Sequence, residues 1–311
     1  MNPLSAVYTA CVGAKNRLYD AGVLKAQRLR GPVISVGNLS VGGSGKTPFV
    51  VLLGQLLQQR GIVFDVLSRG YGRKTRGVLE VDRNGSPVQF GDEPLLIACR
   101  LSCPVIVGES RYHAGLYAEQ KHGARLHILD DGFQHRGLAR DFDIVLLTPE
   151  DQSNRLLPAG RLREPLSSLN RADAVVMTSE MDLTPAGKAI WRIRRSLELR
   201  DPPERAVVFC GIARPQRFVK QLRAAGIEPI ATKFYRDHHA YGASDIRELL
   251  ALRDRSSATG FITTEKDEIN LGPNLAALGA TAIAKVCMEL VDPTAVLETI
   301  LRVISDRKPF A

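Results

Sequence analysis

Four stretches of this chain carry residue types that suit phosphoryl chemistry. The first is PVISVGNLSVGGSGKTPFV, residues 32–50. Val33, Ile34 and Val36 form a short β-branched run that reads as a buried parallel strand. A glycine-rich turn follows, and Gly45-Lys46-Thr47 then opens the amphipathic run 49–57, read as a helix. Strand, glycine loop and helix in that order make the context of a phosphate-binding loop. Glycines let backbone N–H groups curl round phosphate oxygens, and the helix N-terminus adds its positive dipole end. Lys46 would reach the β- and γ-phosphates, and the Thr47 hydroxyl would sit on Mg²⁺. The usual loop has glycine five residues before the Gly-Lys pair; here that position is Ser40, and Gly42 and Gly43 supply the flexibility.

The other three stretches are carboxylates and histidines. Asp130-Asp131 closes an apolar run at 125–129, where a carboxylate at a strand end can hold Mg²⁺ or simply form the turn. Asp92-Glu93 stands before a helical run and could cap it. Phosphoryl transfer to an alcohol also needs a carboxylate to accept the hydroxyl proton, so Asp92 is a candidate base and Glu93 a candidate metal ligand. His135 follows the Asp130-Asp131 strand closely enough for substrate contact. Asp237-His238-His239-Ala240-Tyr241 is either an exposed loop or the source of a histidine that orients a catalytic carboxylate.

These residues need elements to position them. Apolar runs at 62–67, 104–107, 142–147 and 174–177 read as further buried strands, with helices at 94–99 and 111–120 between them. Strands alternating with helices predict a doubly wound parallel sheet, in which ligands gather at the carboxyl ends of strands. Asn84-Gly85 predicts a hairpin between 77–81 and 87–90. Residues 156–165, LLPAGRLREP, read as a loop, and 185–200 as a basic helix. After the candidate linker at 201–203, short strands at 206–210, 227–232, 260–264 and 282–286 predict a second, smaller α/β domain. The expected organisation is an N-terminal helix in 1–30, a phosphate-loop domain at 31–200, the smaller domain at 204–290, and a C-terminal helical segment at 291–311 that packs on either domain.

The net charge of +9 calls for an anionic partner, whether nucleic acid, phospholipid headgroups or a phosphorylated substrate. The basic residues are scattered rather than set in an aromatic-studded groove, which argues against nucleic acid. Cys11, Cys99, Cys103, Cys210 and Cys287 have no paired spacing, as suits free thiols in a reducing compartment. No run is long enough to span a membrane, and the N-terminus lacks the pattern of a cleaved signal. Residues 3–29 read as helical, with Leu4, Val7, Tyr8, Cys11 and Val12 as an apolar stripe, and 1–30 hold five basic residues and one acid. Such a helix lies in a membrane surface or docks on its own domain.

Taken in order, GNLSVGGSGKTPFV, SRGYGR, GDEP, LDDGFQHRGLARDFDIVLL, LPAGRLREP, GIARPQRF, FYRDHHAY and TTEKDEIN resemble the tetraacyldisaccharide 4′-kinases of lipid A biosynthesis. The resemblance covers about residues 30 to 270, and eight motifs in order are far more specific than any one. It implies a P-loop domain and a smaller α/β domain around a cleft. The implied reaction is phosphorylation by ATP of the 4′-hydroxyl of an acylated glucosamine disaccharide 1-phosphate, at the cytoplasmic face of the inner membrane, with no obligate protein partner. By the same resemblance Ser40, Val41, Gly42, Gly43, Ser44, Gly45, Lys46 and Thr47 hold ATP, with Ser40 in the family's own form of the loop. Asp92 is the base, paired with His238. Glu93, Asp130 and Asp131, with Thr47, serve metal and phosphate transfer. Arg111, Gln134, His135, Arg163 and Glu164 lie near the lipid substrate, and the N-terminal helix moves toward an anionic membrane surface. TTEKDEIN ends in Asn270 where a more basic tail is expected. The rival reading is a nucleotide switch or chaperone ATPase that acts on a protein partner.

Overall fold

A computed structural model describes residues 3–123, 126–179, 181 and 187–306. In chain order its elements begin with helix α1 (Pro3–Asp20), strand β1 (Val33–Asn38), α2 (Lys46–Gln59), β2 (Asp65–Ser68), β3 (Leu79–Glu80), α3 (Pro87–Phe90) and α4 (Asp92–Arg100). Next come β4 (Val105–Val107), α5 (Arg111–His122), β5 (His127–Asp130), β6 (Phe142–Leu146), α6 (Pro149–Gln152), β7 (Ala174–Thr178) and β8 (Ala189–Glu198). The chain then runs through β9 (Ala206–Cys210), α7 (Pro215–Ala224), β10 (Ala231–Phe234), α8 (Ala243–Arg255), β11 (Gly260–Thr264), α9 (Glu265–Leu271), β12 (Thr281–Leu290) and α10 (Pro293–Asp306).

The strands join in one sheet in the order β10-β9-β11-β12-β8-β7-β6-β1-β5-β2-β4-β3. All neighbours are parallel except β3 with β4 and β12 with β8. The second exception builds the cleft. The first half of β8 (Ala189 to Ile193) pairs with β7, and its second half (Ile193 to Glu198) pairs with β12. The first half of β12 (Thr281 to Ala284) pairs with β11. Two long strands thus form a ribbon between two parallel sets, and because β12 runs antiparallel to β8, the carboxyl ends of the two sets face each other.

Apolar side chains explain the layers. Phe49, Val50, Leu53 and Leu57 of α2 recur at helical spacing and are buried against β1, β5 and β6 through Ile34, Val36, Ile128 and Ile144. Gly54 lets α2 approach closely: a Cβ there would press on Leu101 and Phe64. Helix α10 returns to this same layer through Val296, Leu297 and Ile300 and packs against α2. The second set is covered by α7 on one face and α8 on the other.

Three expected elements differ. Residues 189–198 are strand β8 and not part of a basic helix, because Trp191 and Ile193 alternate into the interior and the backbone pairs on both sides; residues 185–186 lie outside the described part. Residues 87–90 are a helical turn rather than a hairpin strand: Ser86 accepts at its N-terminus, Pro87 opens it and Gln89 reaches back, which is a capping box. Helix α1 stops at Asp20, where Ala21 and the left-handed Gly22 (φ 70°) turn the chain, and residues 21–29 continue without helix.

Candidate active site

The loop after β1 winds through left-handed glycines, with φ of 68° at Gly42, 69° at Gly43 and 90° at Gly45, before α2 starts at Lys46. L-residues avoid such angles, so glycine here sets the shape of the loop. Ser40 and Ser44 are buried beneath it. Asn38, the last residue of β1, braces it by donating to the Ser40 carbonyl at 2.7 Å, while Lys46 donates to Asn38 Oδ1 at 3.1 Å. Arg195 of β8 reaches in from the ribbon and donates to the Ser44 carbonyl at 2.6 Å. The loop, Lys46 and Thr47 line a cleft of about 990 Å³ that extends between the two sets of strands.

The carboxyl end of β5 supplies Asp130 and Asp131. Arg163 grips Asp131 with two bonds, of 2.8 and 2.9 Å, and Lys46 stands 3.5 Å from it. Burial alone would raise the Asp131 pKa, but these cations hold it below the ordinary carboxylate range. Asp130 has the opposite fate. Burial, Glu93 and Asp131 push it up to about 7, and its Oδ1 is buried with no hydrogen-bond partner. Asp131 also adopts a left-handed φ of 51°, as does His238 at 60°. Bulky residues take that conformation at a cost, commonly at functional sites.

Across the cleft, the loop after β10 brings His238 to Asp92, 146 positions away in sequence. Nδ1 lies 2.9 and 2.8 Å from the two carboxylate oxygens. Tyr71 packs a ring 5.1 Å from His238. Asp92 is buried, yet its pKa is lowered: burial would raise it, and the His238 hydrogen bond, Lys266 and Asn270 outweigh that. For His238, burial and Lys266 lower the pKa and Asp92 raises it by more. Lys266 and Asn270 come from α9, at the carboxyl end of β11. Asn270 donates to Asp92 Oδ2 at 3.1 Å, and Lys266 is 3.6 Å from Glu93 and 3.1 Å from Asp237. Sequence reasoning named the TTEKDEIN motif that holds both residues but gave neither a role. The available signal was that the motif closes a parallel strand, where ligands gather.

Of the residues expected near an acceptor, Arg111, Gln134, His135 and Arg163 line the cleft. Gln134 donates to the Asn38 carbonyl at 2.9 Å, and Arg111 is buried with its Nε unpartnered. Burial and the cations Arg111 and Arg140 lower the His135 pKa to about 4, so it is neutral at physiological pH. Glu164 is different: it turns away from the cleft, pairs with Arg171 at 2.7 Å and accepts from Asn16 of α1 at 3.1 Å. Other links to α1 are polar too: Tyr8 Oη donates to the Arg163 carbonyl at 3.0 Å, and Arg136 pairs with Asp20 at 2.7 Å.

The comparisons with known proteins agree with this geometry. Residues 1–305 match the family described as tetraacyldisaccharide-1-P 4′-kinase (LpxK). The tetraacyldisaccharide 4′-kinase of Koribacter versatilis is 50% identical over 99% of this chain and 100% of its own length. That of Geobacter metallireducens is 38% identical over 93% of each. A crystal structure of LpxK from Aquifex aeolicus in complex with ATP superposes with a TM-score of 0.80 at 35% identity, covering 97% of this chain and 98% of the other. The chain belongs to the tetraacyldisaccharide-1-phosphate 4′-kinase family.

Proposed function

We propose that ATP is the phosphoryl donor, held by the loop 40–47, and that the Asp92–His238 pair takes the proton of the acceptor hydroxyl. As a member of its family the chain is a kinase that phosphorylates the 4′-hydroxyl of tetraacyldisaccharide 1-phosphate in lipid A biosynthesis. A switch or chaperone role on a protein partner is not favoured, since nothing in the site calls for one. The observation that carries the mechanism is the 2.8 Å contact of Asp92 with His238 in the same region that receives Lys46. Lys46 neutralises charge that develops on the transferring group. Arg111, Gln134, His135 and Arg163 face the acceptor, with three donors suited to sugar hydroxyls and phosphate.

The donor set also fits Mg²⁺. The unpartnered, buried Oδ1 of Asp130 and the mutual repulsion of Asp130, Glu93 and Asp131 would be relieved by a cation. Asp130, Glu93 and Thr47 are the better ligands, because Asp131 is already held by Arg163 and Lys46. Among the described residues no three His, Cys, Asp or Glu side chains form a metal cage. Mg²⁺ at kinase sites is commonly held by one or two carboxylates together with phosphate and water. When bound, the ion would neutralise charge on the β- and γ-phosphate oxygens.

Residues 31–200 would act as the phosphate-loop unit and 204–290 as the smaller unit that closes on it, with the β8–β12 ribbon between them. Helix α1 would rest on the cytoplasmic face of the inner membrane. Supporting this, no residue of α1 is buried, and Leu4, Val7 and Leu18 are exposed while Tyr8 and Val12 turn toward the protein. No described helix is long and apolar enough to cross a membrane. The test is direct: purified protein, labelled ATP, Mg²⁺ and acylated disaccharide 1-phosphate, with the position of the new phosphate determined. Turnover without the glycolipid, or a phosphate elsewhere on it, overturns the reading. Lys46→Ala should lower turnover roughly a hundredfold or more.

A further inference from the structure

Asp92 and His238 stand on separate elements, and a third element joins them. Lys266, the second residue of α9, places its ammonium 3.1 Å from Asp237 Oδ1 and 3.1 Å from His238 Nε2. It is also 3.6 Å from Glu93 and 3.7 Å from Asp92 Oδ2. One helical turn later Asn270, on the same face, donates to that Oδ2 at 3.1 Å. The ammonium is thus already surrounded by three carboxylates and an imidazole. That is a different setting from Lys46, which sits at the mouth of the phosphate loop.

Hydrogen-bond chemistry then fixes the protons on His238. An ionised carboxylate only accepts, so Nδ1, facing Asp92, carries hydrogen. An ammonium only donates, so Nε2, facing Lys266, is the acceptor. Both conditions describe one species, the neutral imidazole protonated at Nδ1. Asp237 Oδ2, at 3.7 Å, is too far to accept a hydrogen from Nε2 and favour another form. The Asp92 carboxylate meanwhile has little left to offer. Oδ1 accepts from the Glu93 N–H at 2.9 Å, Oδ2 from Asn270, and its side chain is 4% exposed against 21% for His238.

We propose, on the reading that the Asp92–His238 pair takes the hydroxyl proton, that Lys266 is the positioning residue of that pair: while Asp92 fixes hydrogen on Nδ1, Lys266 keeps Nε2 of His238 unprotonated and ties α9 to the start of α4. The lone pair of Nε2 accepts from Lys266, so it can take a proton only when that hydrogen bond opens. Lys266 acts through His238 and is not itself a catalytic residue.

Ring-nitrogen NMR of the full chain, with the His238 signals assigned from His238→Ala, reads the tautomer without any turnover. The wild type at pH 8 should show the neutral Nδ1–H form. In Lys266→Met, where Asp92 still holds hydrogen on Nδ1, that signature should give way to the imidazolium. The turnover number should fall roughly a hundredfold while KM for ATP and for the glycolipid stays within roughly threefold, the pattern of a lost transition-state arrangement. Lys266→Arg, which keeps the donor, should recover turnover to within about tenfold of wild type. An imidazolium in the wild type overturns the proposal. So does an unchanged ring signature in Lys266→Met, or a raised KM for ATP at constant turnover, which would make Lys266 a phosphate contact. Should Lys266→Met fail to fold, the wild-type spectrum and Lys266→Arg still decide. Because the ring signature needs no acceptor, a wild type that lacks kinase activity would sink the catalytic reading and leave the tautomer assignment standing.

Discussion

Two aspartate–histidine pairs lie at opposite ends of the same parallel strands. Asp92 and His238 meet at the carboxyl ends, beside the cleft. Asp65 and His127 meet at the amino ends, as the first residues of β2 and β5, at 2.9 Å and with exposures of only 1% and 0%. The pairs differ at the second ring nitrogen. His127 Nε2 faces another carboxylate, Glu119, at 3.3 Å, so both nitrogens donate and the ring is an imidazolium. Burial lowers its pKa, but Asp65 and Glu119 more than compensate and raise it to about 9. Glu119 accepts in turn from the Gly31 N–H at 2.8 Å, which ties α5 to the segment before β1. His238 Nε2 faces an ammonium and a cleft instead. A histidine beside a carboxylate is therefore no signature of catalysis by itself; what the second ring nitrogen meets decides.

The largest expected effect breaks the pair at the cleft. Asp92→Asn and His238→Ala should each lower turnover by roughly 10²- to 10⁴-fold, the range for general acid–base groups. The double change should add little to the worse single one, because residues that act as a unit are non-additive. Strictly additive losses in activation free energy would separate the two residues and dissolve the comparison.

The same operation at the other pair should strike stability and spare chemistry. His127→Ala leaves Asp65 buried without its cation, a change that costs about 3–5 kcal/mol. Urea unfolding should show the loss, while turnover per folded molecule stays near wild type. A drop in turnover with unchanged stability would mean that the buried triad reaches the cleft.

A smaller effect sharpens the contrast through pH. The folded-state pKa of His127 is raised to about 9, above its ordinary value near 6.5. Its contribution to stability is therefore complete below about pH 6.5 and is lost as pH rises through about 9. The urea midpoint of the wild type should fall across that window, and that of His127→Gln should fall less. Equal slopes would mean that another group titrates there.

How far these pairs were legible in sequence differs as well. Asp92 and His238 were named as partners only because eight motifs resemble one family, since nothing local links positions 146 apart. Lys266 and Asn270 stood in one of those motifs, yet their roles depend on α9 facing α4, a juxtaposition made by the β8–β12 ribbon. Strand β8 of that ribbon differs from the expected helix, while β12 agrees with the strand expected at 282–286. The basic residues of β8 at 192, 194 and 195 resemble a helix surface, and the partner that makes 193–198 a strand lies some ninety residues on. The alternation of Trp191 and Ile193 was the overlooked signal. The Ser86-Pro87 start of α3 was readable too, but Asn84-Gly85 drew attention to a hairpin. The phosphate loop was plain because its chemistry is local, with strand, glycines and helix contiguous. Glu164, next to Arg163 in sequence, pairs with Arg171 and Asn16, which adjacency alone does not foretell.

The smallest effect concerns α1, which meets the active-site region on one face and solvent on the other. Its inner face holds the loop of Arg163 and Glu164 through Tyr8 and Asn16. Its outer face shows Leu4 at 65% and Val7 at 61% exposure. Deleting residues 1–25 would remove both faces together, so the changes Leu4→Asp and Val7→Asp are the cleaner probe. Residues 1–30 carry five basic residues and one acid, but Arg28 is held by Asp141, so not all of that charge is available to lipid. Each basic residue near an anionic leaflet contributes about 1 kcal/mol, which puts the charge term at about 3–4 kcal/mol at most. Apolar burial adds to a reversible hold well below that of a spanning helix. The double substitution should weaken binding to anionic vesicles severalfold and raise KM for the glycolipid, with KM for ATP and the unfolding midpoint unchanged. High salt should reproduce part of the loss in the wild type by screening. Vesicle binding that matches the wild type would show that α1 serves only to brace the Arg163 loop. The deletion, which removes the brace as well, should then lower turnover without changing vesicle binding.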